Sequence, residues 1–128
     1  MTALLDTHVF VWMDTDVSLI SPAALRYFAD PNCTILLSVV SVWEVAIKAG
    51  TGKLALSAPL GQVIQDIRQK NPLQILSVEL SHALAVQSLP AIHRDPFDRM
   101  LVAQAIVENA VLLTADARVR QYPVQTDW

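Results

Sequence analysis

The chain is short of cysteine, glycine and charge, and each shortage excludes something. Cys33 is the single cysteine, which rules out an internal disulfide and a zinc site built from several thiolates. The three glycines, Gly50, Gly52 and Gly61, form neither a dinucleotide-binding loop nor a P-loop. Gly52-Lys53 lacks both the upstream glycine and the following Ser/Thr that a P-loop needs, and there is no Gly-x-Ser-x-Gly nucleophile elbow. Charged residues make up only 16% of the chain and the net charge is −3, so there is no basic clamp of the kind that usually grips phosphates. Long apolar runs are missing too. The longest stretch without a formal charge, Leu80–His93, is broken by Ser81, His82, Gln87, Ser88 and Pro90, whereas a membrane span needs about 20 mostly apolar residues. The opening Met1-Thr2-Ala3-Leu4-Leu5-Asp6 has no basic segment ahead of an apolar one, which predicts a cytoplasmic protein without a secretory leader.

What is present is apolar. Hydrophobic residues are 53% of 128, with a mean hydropathy of +0.40. That length predicts one domain over residues 1–128. The apolar excess predicts a face buried against a partner, a second copy of the chain included. No repeat or low-complexity segment occurs.

Hydrophobic patterning alternates strands with helices. Strands are expected at Ala3–Leu5, Thr34–Val39, Gln74–Val78 and Val111–Leu113, with a fifth at Val124–Thr126. Helices are expected at His8–Met13 (a single turn or so), Pro22–Ala29 with Ser21 as N-cap, Val42–Ala49 stopped by Gly50, Leu60–Lys70, Leu80–Leu89 and Pro96–Glu108 with Asp95 as N-cap. Continuous apolar strands between helices imply an α/β fold with a parallel sheet covered on both faces. In such a fold, sites form at the edge where the strands end.

Four acids fall at places that can face that edge. Asp6 follows the first strand and Asp116 the fourth; Glu44 and Asp98 open helices. Each has an ordinary structural reading. Asp6 can cap a helix. Glu44 fits a capping box with Ser41 as N-cap and Glu44 at the third helical position. Asp98 takes the same position behind Asp95, the better purely structural candidate of the two. Asp116 can form a turn. Gathered on one edge, the four would repel: two carboxylates about 4 Å apart cost on the order of 4 kcal/mol at an effective dielectric near 20. A hard divalent cation, Mg²⁺ or Mn²⁺, relieves that repulsion and supplies the positive charge the composition withholds. Thr7, Ser41 and Thr114 each lie near an acid and can orient carboxylates, or else cap and turn. Arg99 can meet a substrate phosphate or pair with a neighbouring acid. Lys48, four residues after Glu44, is expected to make a plain surface pair with it. His8, His82 and His93 are expected to be structural.

The motifs Leu4-Leu5-Asp6-Thr7-His8, Ser41-Val42-Trp43-Glu44-Val45-Ala46-Ile47-Lys48, His93-Arg94-Asp95-Pro96-Phe97-Asp98-Arg99 and Leu113-Thr114-Ala115-Asp116 together resemble the PIN-domain family, and within it the VapC-type toxins of bacterial toxin–antitoxin pairs. The resemblance runs from the first strand to about Pro123. It implies a three-layer α/β/α sandwich around a parallel sheet of four to five strands. It also implies a Mg²⁺- or Mn²⁺-dependent endoribonuclease, a homodimer, and a cognate antitoxin protein. Carried over by position, the metal-binding and catalytic acids are Asp6, Glu44, Asp98 and Asp116. Asp95 is a further acid of the motif, and Thr114 and Asp116 match its final Thr-x-Asp.

Other classes fit less well. A haloacid-dehalogenase-type phosphatase needs a second Asp two residues after the first, and that position is His8. A phosphate receiver needs an acidic pair beside its acceptor, and Asp6 has no adjacent acid. A non-catalytic module that binds a basic peptide along its acidic edge, and a nuclease directed at DNA, are the remaining alternatives. RNA as substrate rests on the family alone.

Overall fold

A computed structural model describes residues 1–128. Five strands form one wholly parallel sheet: β1 Thr2–Leu5, β2 Thr34–Ser38, β3 Leu73–Leu76, β4 Val111–Leu113 and β5 Thr126–Asp127, in the order β3-β2-β1-β4-β5. Their register aligns Leu4 with Leu36 on one side and with Leu112 on the other. Six helices cover the sheet: α1 Thr7–Thr15, α2 Pro22–Ala29, α3 Val39–Gly50, α4 Leu60–Lys70, α5 Leu80–Val86 and α6 Pro96–Val107. No helix is long and apolar enough to cross a membrane.

Side-chain alternation along the strands divides the core in two. Ala3, Leu5, Ile35, Leu37, Leu73 and Leu113 point into one layer, where they meet Val9 and Phe10 of α1, Ala24 of α2, Val45 of α3 and Val63 and Ile67 of α4. Leu4, Leu36 and Leu112 point the other way, against Leu101, Val102 and Ala105 of α6, with Val119 and Tyr122 closing that side. This is the expected three-layer sandwich, with both faces of the sheet buried.

The chain runs from β1 to β2 and β3 on one side, then crosses to β4 and β5 on the other. The strand order therefore reverses between β1 and β4. Open parallel sheets have a crevice at such a point, at the carboxyl ends of the strands. Asp6 follows β1 there, and Thr114 and Asp116 follow β4.

Several local expectations change. The first helix is a full nine residues, not a turn. β2 stops one residue early at Ser38, whose hydroxyl accepts the Val40 N–H and begins α3. Ser41 is thus not a cap, and Glu44 lies beyond the first helical turn, so there is no capping box. The β-branched run around it was ambiguous between strand and helix, and the cap decided. Gly50 is the last helical residue; the left-handed conformation falls on Gly52 (φ 74). β3 and β5 are displaced from Gln74–Val78 and Val124–Thr126, and α5 ends at Val86 rather than Leu89. Asp95 caps α6 as expected, accepting the Phe97 and Asp98 N–H groups.

Candidate active site

Asp6 occupies the N-cap position of α1, yet its side chain makes no cap hydrogen bond. Its Oδ2 accepts from Thr114 Oγ1 at 2.5 Å. Its Oδ1 is buried without a hydrogen-bond partner, and His8 approaches that atom only to 4.0 Å. Burial pushes the Asp6 carboxyl above its ordinary range, against the pull of Thr114 and His8, and the charge of Asp116 adds to the rise.

Glu44 is 3% exposed. Thr7 Oγ1 donates to its Oε1 at 2.8 Å and also stands 2.9 Å from Ser41 Oγ. Lys48 Nζ donates to Oε2 at 2.5 Å. The Glu44–Lys48 pair is therefore not the plain surface pair expected: one partner is inside the site and the other reaches in from the rim. That hydrogen bond, followed by the charges of Glu44, Asp95 and Asp98, holds the Lys48 ammonium above its usual range despite desolvation.

Asp98 lies in the first turn of α6. Burial, first, and the charges of Asp6, Asp95 and Glu44 lift its carboxyl to about 6, although His93 opposes the rise by hydrogen bonding. His93 Nε2 lies 3.0 Å from Asp98 Oδ2. His93 is thus in contact with a candidate acid, which its expected structural role did not include. Arg99 pairs with no acid; its Nη1 donates to Pro90 O and to the Tyr122 hydroxyl.

Asp116 does make the turn its ordinary reading foresaw: Oδ1 accepts the Arg118 N–H at 2.8 Å. Burial alone would raise its carboxyl, but the hydrogen bonds and charge of Arg118 outweigh that and lower it. Arg118 escaped the sequence reading because nothing about its spacing marks it. His82, by contrast, is structural as expected: fully buried, it accepts the Glu79 N–H and meets Glu108 at 2.8 Å.

The four acids sense one another electrostatically, but no three His, Cys, Asp or Glu side chains stand ready around a common point. Lys48, His93 and Arg118 each hold one of them. The fit to a divalent cation rests on the donor set, which is all carboxylate oxygen, and on the orphaned Asp6 Oδ1.

Comparison with known proteins agrees with this architecture. The chain is 27% identical over 122 residues to ribonuclease VapC22 of Mycobacterium tuberculosis, covering 94% of this chain and 92% of that one. Among solved structures it is similar to VapBC2 from Rickettsia felis bound to a promoter DNA fragment (TM-score 0.72, 20% identity, 99% of this chain and 98% of that one). It is similar also to VapBC-1 from nontypeable Haemophilus influenzae (TM-score 0.61, 21% identity, 99% and 97%). The family described as PIN domain matches residues 3–125, and the chain belongs to the PIN-domain family.

Proposed function

We propose that this chain is a metal-dependent endoribonuclease that serves as the toxin of a toxin–antitoxin pair. The observation that carries the reading is Asp6 Oδ1, a buried carboxylate oxygen without a partner, beside the point where the strand order reverses. A buried, unsatisfied anion is costly, and a protein retains one where something else completes it. Oxygen donors favour Mg²⁺ or Mn²⁺. Asp6, Glu44 and Asp98 would hold the ion, and Asp116 would complete the set or help to hold a second. When bound, the ion supplies charge neutralisation at a phosphodiester and activates water for in-line attack.

The surrounding residues orient these acids. Thr114 directs Asp6 and Thr7 directs Glu44, each through a hydroxyl proton. Asp95 anchors the first turn of α6 that carries Asp98. Lys48 and Arg118 offset the charge of Glu44 and Asp116 in the metal-free protein.

The ribonuclease name of the mycobacterial relative supports RNA over DNA as substrate. The VapBC assemblies among the structural relatives support an antitoxin partner. For the homodimer, the supporting feature is an apolar surface of Val39, Trp43, Val78, Phe97 and Met100. Trp43 there is 60% exposed, with its ring 5.1 Å from that of Phe97.

Cleavage of RNA and of single-stranded DNA, with and without chelator, tests the reading. RNA should be cut, EDTA should stop the cleavage, and Mn²⁺ or Mg²⁺ should restore it. Asp6→Asn should abolish cleavage and leave the fold intact. Chelator-resistant cleavage, or full activity of Asp6→Asn, overturns the metal site; preferential cutting of DNA overturns the substrate. A basic-peptide-binding module would show no divalent dependence of its thermal stability.

A further inference from the structure

Behind Asp98 runs a chain of hydrogen bonds that the proposed reaction does not use. His93 Nε2 lies 3.0 Å from Asp98 Oδ2 and His93 Nδ1 lies 2.8 Å from the Tyr122 hydroxyl. Arg99 Nη1 donates to that hydroxyl at 3.0 Å, with its guanidinium carbon 5.8 Å from the centre of the Tyr122 ring. Tyr122 is 3% exposed and the His93 side chain 7%, so bulk water has little access to these contacts.

Counting protons sets the direction of each bond. A phenol oxygen has one proton and two lone pairs. Two groups that can only donate already point at it: Arg99 Nη1, and the His93 backbone N–H at 3.3 Å. Its own proton then goes to His93 Nδ1 at 2.8 Å rather than to His93 O at 3.3 Å. A proton on Nδ1 would make a third donor aimed at two lone pairs. With the other neutral tautomer it would also leave the bare Nε2 facing a carboxylate oxygen at 3.0 Å. The arrangement is satisfied when Nδ1 is bare and Nε2–H donates to Asp98 Oδ2.

We propose that His93 is a positioning residue for Asp98, held in its Nε2–H tautomer by Tyr122 and Arg99, so that Oδ2 is occupied and Oδ1 is presented to the cation. This rests on the reading of Asp98 as a metal ligand. Partners behind a ligating carboxylate typically affect metal affinity by about 10–100-fold. The four residues come from the His93–Arg99 motif and from Tyr122, which the fold brings in from beyond β4.

Two measurements test the inference. The first is the ¹⁵N chemical shifts of the histidine ring in the metal-free protein at mildly alkaline pH. His93 should show a protonated Nε2 and a bare Nδ1, and Tyr122→Phe should weaken that preference; a protonated Nδ1 in the parent protein overturns the proposal. The second is Mn²⁺ binding by calorimetry alongside RNA cleavage. His93→Ala should bind Mn²⁺ about 10–100-fold more weakly with an unchanged KM for RNA. His93→Gln, which keeps an N–H donor near the same place, should recover most of the affinity. If His93→Ala fails to fold, the comparison of His93→Gln with Tyr122→Phe and the ring shifts still decide. Asp98→Asn separates the two levels: Mn²⁺ binding unaffected by Asp98→Asn means that the metal reading has failed. Loss of binding in Asp98→Asn with parental affinity in His93→Ala means that only the positioning role has failed.

Discussion

Thr114 Oγ1 donates to Asp6 Oδ2 at 2.5 Å, joining residues 108 positions apart across the ends of β1 and β4. The hydroxyl protons pass over the neighbouring carboxylates: Thr7, beside Asp6, donates to Glu44, and Thr114, whose oxygen accepts the Asp116 N–H, donates to Asp6. The hydroxyl is the one side-chain donor on a carboxylate whose other oxygen is buried without a hydrogen bond. Thr114→Val keeps the shape and removes the donor. It should destabilise the metal-free protein by about 1–3 kcal/mol, the cost of leaving a buried polar group unsatisfied. Saturating Mn²⁺ should recover part of that loss. Thermal unfolding with and without Mn²⁺ reads both effects, and an unchanged midpoint would show that the hydroxyl contributes nothing.

Lys48 offers a sharper contrast. An exposed Glu–Lys pair four residues apart contributes under about 1 kcal/mol. Glu44, however, is buried, and removing its cation leaves Thr7 as its sole remaining donor. Lys48→Met should therefore destabilise the metal-free protein by more than the surface value, about 1–3 kcal/mol. Mn²⁺ should offset more of the loss than it does for an exposed control such as Lys53→Met. Equal effects at the two positions would return Lys48 to the surface.

The pH dependence has a defined sign. The Asp98 carboxyl is raised to about 6 in the folded protein, from an ordinary value of 3.8. The folded state then binds its proton more tightly than the unfolded chain does. The resulting stability is present below about pH 4 and is lost as pH rises through about 6. Its size is at most about 3 kcal/mol. In metal-free protein, Asp98→Asn should remove this component. The difference in unfolding free energy between parent and variant should therefore change between pH 4 and pH 6 and level off above that. A constant difference across the window would show that Asp98 titrates normally.

Ser38 and Ser41 distinguish two starts for α3. Ser38 Oγ accepts the Val40 N–H and lies 2.6 Å from Gln104 Oε1. Ser38→Ala should cost about 1–2 kcal/mol through the lost cap, and the bond to Gln104 is lost with it. Ser41→Ala removes no cap and should cost less in urea unfolding. The reverse ranking would restore Ser41 as the cap.

Much of the site was legible as a list of residues. Asp95-Pro96 announces a helix start, because proline at the first helical position and a capping Asp are local requirements. The apolar strands announced a sheet buried on both faces for an equally local reason. The start of α3 was not legible: Thr34–Val42 is mostly apolar and rich in β-branched residues, with a serine at both 38 and 41, and periodicity cannot place a boundary inside such a run. Only the Ser38 hydroxyl, facing the Val40 N–H and Gln104, marks where strand becomes helix.

The sequence by itself determined the alternation of strand and helix, the cap of α6, and the four acids with their family motifs, since each depends on residues a few positions apart. Which hydroxyl serves which acid was decided by the tertiary structure, Thr114 on Asp6 and Thr7 on Glu44, as was the burial of Glu44 that turns its expected pair with Lys48 into a contact of the site. It also decided that Asp6 Oδ1 is left without a donor. Hydrogen bonds and desolvation depend on distances of a few ångströms between segments far apart in the chain, and those distances exist only once β1 lies between β2 and β4.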